Sequence, residues 1–247
     1  MMKKTTYYDM HVHLHEYADN ELEELAREDI TLVAVSEDAE SLRRTVEIAE
    51  TMDNVVPCAG YHPWNFRSGG SISEALEVAR LAYHLDLTCI GEIGLDKKFV
   101  PRETWHAQVL VARSFLEVAA EVGGYVTLHS PYAWREMLLL LLEAGVEKAM
   151  FHWYTGPVDL AYAIISYGYY ISINPAVKIQ EKHQRVAERV PLESMVFESD
   201  GPYNYKGLRL DPIMIRETAE IVSKLKGVPQ GEVLERVAWN SERLLYT

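Results

Sequence analysis

Short apolar runs rich in β-branched and aromatic residues alternate along the chain with longer segments whose apolar residues recur at helical spacing. Eight runs read as strands: Tyr7 to Val12, Ile30 to Val35, Val55 to Ala59, Thr88 to Gly91, Tyr125 to His129, Ala149 to His152, Tyr169 to Ile173 and Met195 to Ser199. Helical spacing covers Glu40 to Met52, Ser73 to Leu85, Glu103 to Val122, Trp134 to Ala144 and Gln180 to Val190. Two further helices close the chain: Asp211 and Pro212 supply an N-cap and a first-turn proline, and Pro229 to Tyr246 forms the last. Strands alternating with helices predict parallel pairing through right-handed crossovers, in a closed barrel or a doubly wound open sheet.

The polar residues at the strand ends choose between these. In the first run, Asp9, His11 and His13 are spaced by two, so strand alternation predicts that all three point to one face, the lumen of a barrel. One histidine on an apolar face is usually a satisfied core residue; two beside an aspartate are costly to bury without a partner. Three more runs end in Glu92, His129 and His152, and the eighth ends in Glu198-Ser199-Asp200. Ligands from the carboxyl ends of separate strands converge only if those ends form a ring, so the α/β pattern predicts a TIM (β/α)8 barrel. The 247 residues match the typical size of that fold, about 250. No Pro-, Gly- or Ser-rich linker divides the chain, which predicts a single domain over residues 1–247.

Four imidazoles with two carboxylates suit one or two divalent metal ions such as zinc, manganese or magnesium, and a bridging carboxylate would allow a pair. Such a pair makes a nucleophile from water at neutral pH and polarises a phosphoryl or carbonyl oxygen while a carboxylate takes the proton, so hydrolysis follows. Lys97 and Lys98 lie too far past the fourth run to serve as a metal-bridging lysine; Glu92 takes that place.

The chain resembles the TatD-like metal-dependent hydrolases of the amidohydrolase superfamily along nearly its whole length. The resemblance rests on DMHVHLH at 9–15, AGYHPWN at 59–65, IGEIGLD at 90–96, TLHS at 127–130, FHWYTG at 151–156 and MVFESDGPY at 195–203. It implies that His11 and His13 bind one ion with Asp200, that Glu92 bridges, and that His129 and His152 bind the second. It further implies that Asp200 is the general base and that His62 contacts a substrate phosphate. Three departures bear on substrate, one of them that the loop after Asp96 is short and lacks the family's more typical aromatic continuation. Ser130-Pro131-Tyr132 stands where the family continues with an arginine and an acidic residue, and Glu198-Ser199-Asp200-Gly201-Pro202 replaces the usual ETDAP.

Lys and Arg total 24 against 37 Asp and Glu, a formal charge of -13, and no basic run exceeds Lys3-Lys4. That excludes a broad nucleic-acid-binding face, so a nucleic acid would be gripped locally, at a chain end. Cys58 and Cys89 sit in apolar runs without CxxC spacing and read as small core residues of a reducing compartment. No segment has signal or membrane-spanning character, so a cytoplasmic monomer or homodimer is expected. The leading function is hydrolysis of a phosphodiester, at nucleic-acid ends or in small nucleotide esters, as by a deoxyribonuclease. The alternatives are hydrolysis of a small ester, lactone or amide at the same centre, and a catalytically silent metal-binding scaffold.

Overall fold

Eight parallel strands form where the apolar runs predict them, shifted by at most a few residues at each end. The computed structural model describes residues 7–247; residues 1–6, the start of the domain expected from the sequence, lie outside the described residues. The strands are β1 (Tyr7–Val12), β2 (Ile30–Ala34), β3 (Val55–Pro57), β4 (Cys89–Gly94), β5 (Tyr125–His129), β6 (Lys148–Phe151), β7 (Tyr170–Ile173) and β8 (Met195–Phe197). Helices α1 (Asp19–Leu25), α2 (Ala39–Thr51), α3 (Ile72–His84), α4 (Trp105–Val122), α5 (Trp134–Ala144), α6 (Val158–Ser166) and α7 (Glu181–Arg189) connect them in turn. The chain then runs through a two-stranded hairpin, β9 (Asn204–Tyr205) and β10 (Leu208–Arg209), to α8 (Ile215–Lys226) and α9 (Gln230–Tyr246). Asp211 does accept a first-turn N–H, from Ile213, but the turn it caps is a short 3-10 segment, Pro212–Met214, that leads into α8.

The strand order is that of the barrel, and the ladder is interrupted at two seams: β1-β2-β3 form one sheet and β4 to β8 another. At the β3–β4 seam a single bridge pairs Ala59 with Ile90. The preceding residues therefore face each other, and Cys58 and Cys89 are joined in a disulfide with Cα atoms 4.5 Å apart. Both are fully buried core residues, as the sequence predicts, but they are joined to each other, which the expectation of a reducing compartment did not include. At the β8–β1 seam the Asp200 N–H donates to the His11 carbonyl at 3.0 Å and the His13 N–H to that of Gly201 at 2.8 Å.

Two apolar layers surround the strands. Ile90, Ile93, Val126 and Leu128 pack outward on helix residues such as Ala79, Phe115 and Leu116. Tyr8, Met10, Val33, Cys58, Cys89, Tyr125 and Met150 fill the interior, joined by Leu244 of α9. Strict alternation does not hold along β1. Asp9 pairs with Leu32 and Val12 with Ala34, so Met10 and His11 on β1 lie opposite the single residue Val33 on β2, a β-bulge. Leu32, Ala34 and Val12 belong to the outer layer with Ile48 of α2. Asp9 therefore shares their side of the strand rather than that of His11, contrary to the single-face expectation.

Candidate metal centre

The strand irregularities coincide with the chemistry. β4 bulges as β1 does: Ile90 pairs with Val126 and Ile93 with Leu128, leaving Gly91 and Glu92 opposite one residue of β5. A bulge re-aims a side chain that regular pleating would send elsewhere, and His11 and Glu92 are the two candidate ligands carried inside bulged segments. Glu92 lies within β4, not after it. A side chain at Gly60 would meet the Glu92 backbone N at 2.3 Å, and one at Gly91 would meet Thr127 Cγ2 at 2.1 Å. Glycine is required at both because neighbouring segments touch there.

His13, His62, His152 and Asp200 follow the ends of β1, β3, β6 and β8, and His129 ends β5. These five, with His11 and Glu92, are all buried and converge on the carboxylate of Glu92. Its Oε2 lies 3.3 Å from His11 Nε2 and 3.5 Å from His13 Nε2. Its Oε1 lies 2.9 Å from His129 Nδ1, 3.3 Å from His62 Nε2 and 4.0 Å from His152 Nε2. One oxygen thus serves each half of the cluster. Asp200 Oδ1 lies 3.6, 3.3 and 3.7 Å from the Nε2 atoms of His11, His13 and His152.

These distances test whether a metal fits. Ligands about 2.1 Å from a tetrahedral ion are separated by edges of about 3.4 Å. His11 Nε2 and His13 Nε2 are 3.3 Å apart. With Glu92 Oε2 and Asp200 Oδ1 they give five edges between 3.3 and 3.6 Å. The other ring nitrogens agree. His11 Nδ1 is 2.7 Å from Thr127 Oγ1, His129 Nε2 is 2.9 Å from Asp96 Oδ2, and His152 Nδ1 is 2.8 Å from Glu198 Oε2. A ring that donates its N–H to such a partner turns a lone pair toward the centre, as a metal ligand must. His62 is wired the other way. Its Nδ1 accepts the Trp64 backbone N–H at 3.0 Å, so in the neutral ring the proton sits on Nε2, which points inward as a donor.

The electrostatics follow from the same packing. Burial would lower His13 and His152, but the carboxylates win: Asp200, Glu37 and Glu92 push His13 up to about 10, and Glu198, Asp200 and Glu92 push His152 up to about 9. His11 is lowered by burial and by the charge of His152, whose ring stacks on it at 3.9 Å. Burial would raise Glu92 and Asp200, yet the imidazoles hold both below the usual carboxylate range. A divalent cation would answer this anionic field, and its binding would release protons from the rings.

Asp96 and Glu198, which hold two of the imidazoles, were not among the sequence-predicted site residues. Asp96 Oδ1 accepts the backbone N–H groups of Lys98 and Phe99 at 2.6 and 2.7 Å, and Oδ2 accepts the indole N–H of Trp64 at 2.8 Å. The signal for Glu198 was its place two residues before Asp200; Asp96 lay in a loop whose turn the sequence does not specify. The centre opens into a cleft of about 400 Å³ whose walls include Trp64, Phe99, Tyr132, Trp134, Trp153 and Tyr203. Tyr132, Trp153 and Asp200 all hold positive φ, at 61°, 40° and 58°, so the surrounding structure maintains strained backbone at three cleft residues.

A parallel α/β barrel whose strand ends gather imidazoles and carboxylates around a shared glutamate defines a metal-dependent hydrolase. The family model for TatD related DNase matches residues 8–246. The chain belongs to that family. It is 30% identical over 232 residues to deoxyribonuclease TATDN3 of Homo sapiens, an alignment covering 87% of this chain and 83% of the human one. It is 27% identical to the uncharacterized metal-dependent hydrolase MJ1582 of Methanocaldococcus jannaschii, over 97% of both chains. The crystal structure of the Escherichia coli TatD homologue YjjV superposes with a TM-score of 0.87 at 20% identity, covering 99% of this chain and 100% of that one. That likeness supports the barrel-type α/β fold despite the interrupted ladder.

Proposed function

We propose that this chain, as a single domain over residues 1–247, hydrolyses phosphodiesters at nucleic-acid ends or in small nucleotide esters. The observation that carries this reading is the division of the Glu92 carboxylate, one oxygen facing His11 and His13 and the other facing His129. His11, His13 and Asp200 would hold one divalent ion and His129 and His152 a second, with Glu92 between them; zinc, manganese and magnesium all suit the donor set. When bound, such a pair activates water and polarises a phosphoryl oxygen. Asp200, held ionised by the surrounding imidazoles, orients the attacking water and accepts its proton. The Nε2–H of His62 donates to a non-bridging oxygen, where charge grows as the water oxygen bonds to phosphorus and the leaving oxygen departs. The deoxyribonuclease named among the relatives supports the choice of ester.

The test is cleavage of an end-labelled single-stranded oligonucleotide by metal-stripped protein reconstituted with magnesium, manganese or zinc. Cleavage is expected to require the metal, and Asp200→Asn is expected to lower kcat by about 10²- to 10⁴-fold, the range for losing a general base. Absence of metal-dependent cleavage overturns the phosphodiester assignment and directs the search to small esters, lactones and amides.

A further inference from the structure

Among the described residues lining the cleft, Lys98 is the one lysine or arginine. Its position is fixed from both ends of the residue. Its backbone N–H is held by Asp96, the same carboxylate that holds His129. Its ammonium Nζ lies 4.5 Å from the centre of the Phe99 ring and 5.5 Å from that of Tyr132. A cation over an aromatic face is attracted to it, so the two rings keep the charge on this wall of the cleft. Both rings are about half exposed, 47% for Phe99 and 54% for Tyr132. Tyr132 in turn stacks on Trp134 at 5.4 Å.

Depth decides what this charge can reach. The ligand side chains are buried at the cleft floor, with no candidate ligand more than 8% exposed, whereas Lys98 and its two rings are exposed at the rim. A phosphate undergoing hydrolysis must sit on the floor, where metal, His62 and Asp200 already answer its charge. The rim ammonium stands above it, among exposed rings able to stack a base or cover a sugar.

We propose that Lys98, with Phe99 and Tyr132, forms a subsite for the phosphate next to the scissile one, so that the preferred substrate carries at least two phosphates along a nucleotide chain. This rests on the phosphodiesterase reading above and extends it from a single ester to an oligonucleotide. Two other cations lie over rings that line the cleft, Lys206 at 5.3 Å from the centre of the Tyr205 ring and Arg67 at 5.0 Å from that of Trp64, but neither lines the cleft itself, so Lys98 is the cation assigned to the subsite. Lys98 contacts a phosphate that does not react, and its contribution is to binding.

Two measurements on the metal-loaded protein test this, with Lys98→Ala and Lys98→Arg beside the unmodified chain. In turnover, Lys98→Ala is expected to raise KM about tenfold for a trinucleotide and leave kcat within twofold. It should leave bis(p-nitrophenyl) phosphate, which has one phosphodiester and no second phosphate, within twofold in both constants. Lys98→Arg keeps the charge and should restore most of the loss. In binding, followed by tryptophan fluorescence, deoxyadenosine 3′,5′-bisphosphate should bind Lys98→Ala about tenfold more weakly than the unmodified chain, and its binding should weaken less as salt is added, because one ion-pairing charge is gone. Deoxyadenosine 5′-monophosphate should bind both alike. Equal losses for one-phosphate and two-phosphate compounds would place Lys98 on the reacting phosphate and overturn the proposal. So would no loss for either. If the unmodified chain cleaves no phosphodiester, the assigned function fails, and the bisphosphate titration still decides whether Lys98 binds a second phosphate.

Discussion

Asp200 and Asp9 are both buried beside His11, yet their surroundings hold them in opposite protonation states. Asp200 faces imidazoles that keep it below the usual range. Asp9 accepts the N–H of Ser199 at 2.7 Å and that of His11 at 3.3 Å on Oδ1, while Oδ2 has no hydrogen-bond partner. Burial, only partly offset by Ser199, pushes its carboxyl up to about 8. A carboxyl raised from the ordinary 3.8 to about 8 contributes stability that is fully present below the lower value and is lost as pH rises through the upper one. Asp96, held down to about 2, works in the opposite sense, and its contribution is lost as pH falls toward that value. Asp9→Asn keeps an acceptor for Ser199 and removes the titration. Between pH 5 and pH 9 the unmodified protein should therefore lose more thermal stability than the variant at equal metal content. Parallel losses would show that Asp9 ionises without cost.

At the scale of elements, the sequence carried the eight strands and most of the polar residues that gather at or near their carboxyl ends, because burial on both faces demands apolar runs and a polar side chain inside or after such a run stands out. Helix α5 falls where its spacing predicts. Helices α1 and α6 were not legible: α1 is seven residues of mostly acidic sequence, and α6 reads VDLAYAIIS, with the β-branched content of a strand. The bulges in β1 and β4 were hidden because they exist only in the pairing between strands. For that reason alternation placed Asp9 on the wrong side, and the apolar run that stops at Gly91 put Glu92 after β4 instead of within it. Partner choice was equally hidden, since nothing local in His129 or His152 announces Asp96 or Glu198. The β4 bulge also sets a prediction. Gly60 leaves no room for a methyl group beside the Glu92 backbone, and Gly60→Ala should displace that carboxylate. Metal affinity measured by competition with a chelator should drop at least tenfold, the scale for disturbing support around a metal site. Retention of full affinity would mean that the β3–β4 seam yields without moving Glu92.

Across the whole molecule, the disulfide reinforces one of the two seams in the ladder, that between β3 and β4. Its cysteines are 31 residues apart, and closing a loop of that size restricts the unfolded chain by about 3 to 4 kcal/mol. For a protein of this length the loss should lower Tm by roughly 10 °C. Scanning calorimetry of Cys58→Ala/Cys89→Ala against the unmodified chain checks this, and an unchanged Tm would show that the apolar layers alone hold the seam. Joining β3 to β4 also alters how the chain answers a mechanical load. The segment between the cysteines would extend by at most about 110 Å if the ends were pulled. While the bond is intact that slack is locked away, so force spectroscopy would record a contour shorter by that length, recovered in one step when a reductant enters the unfolded chain.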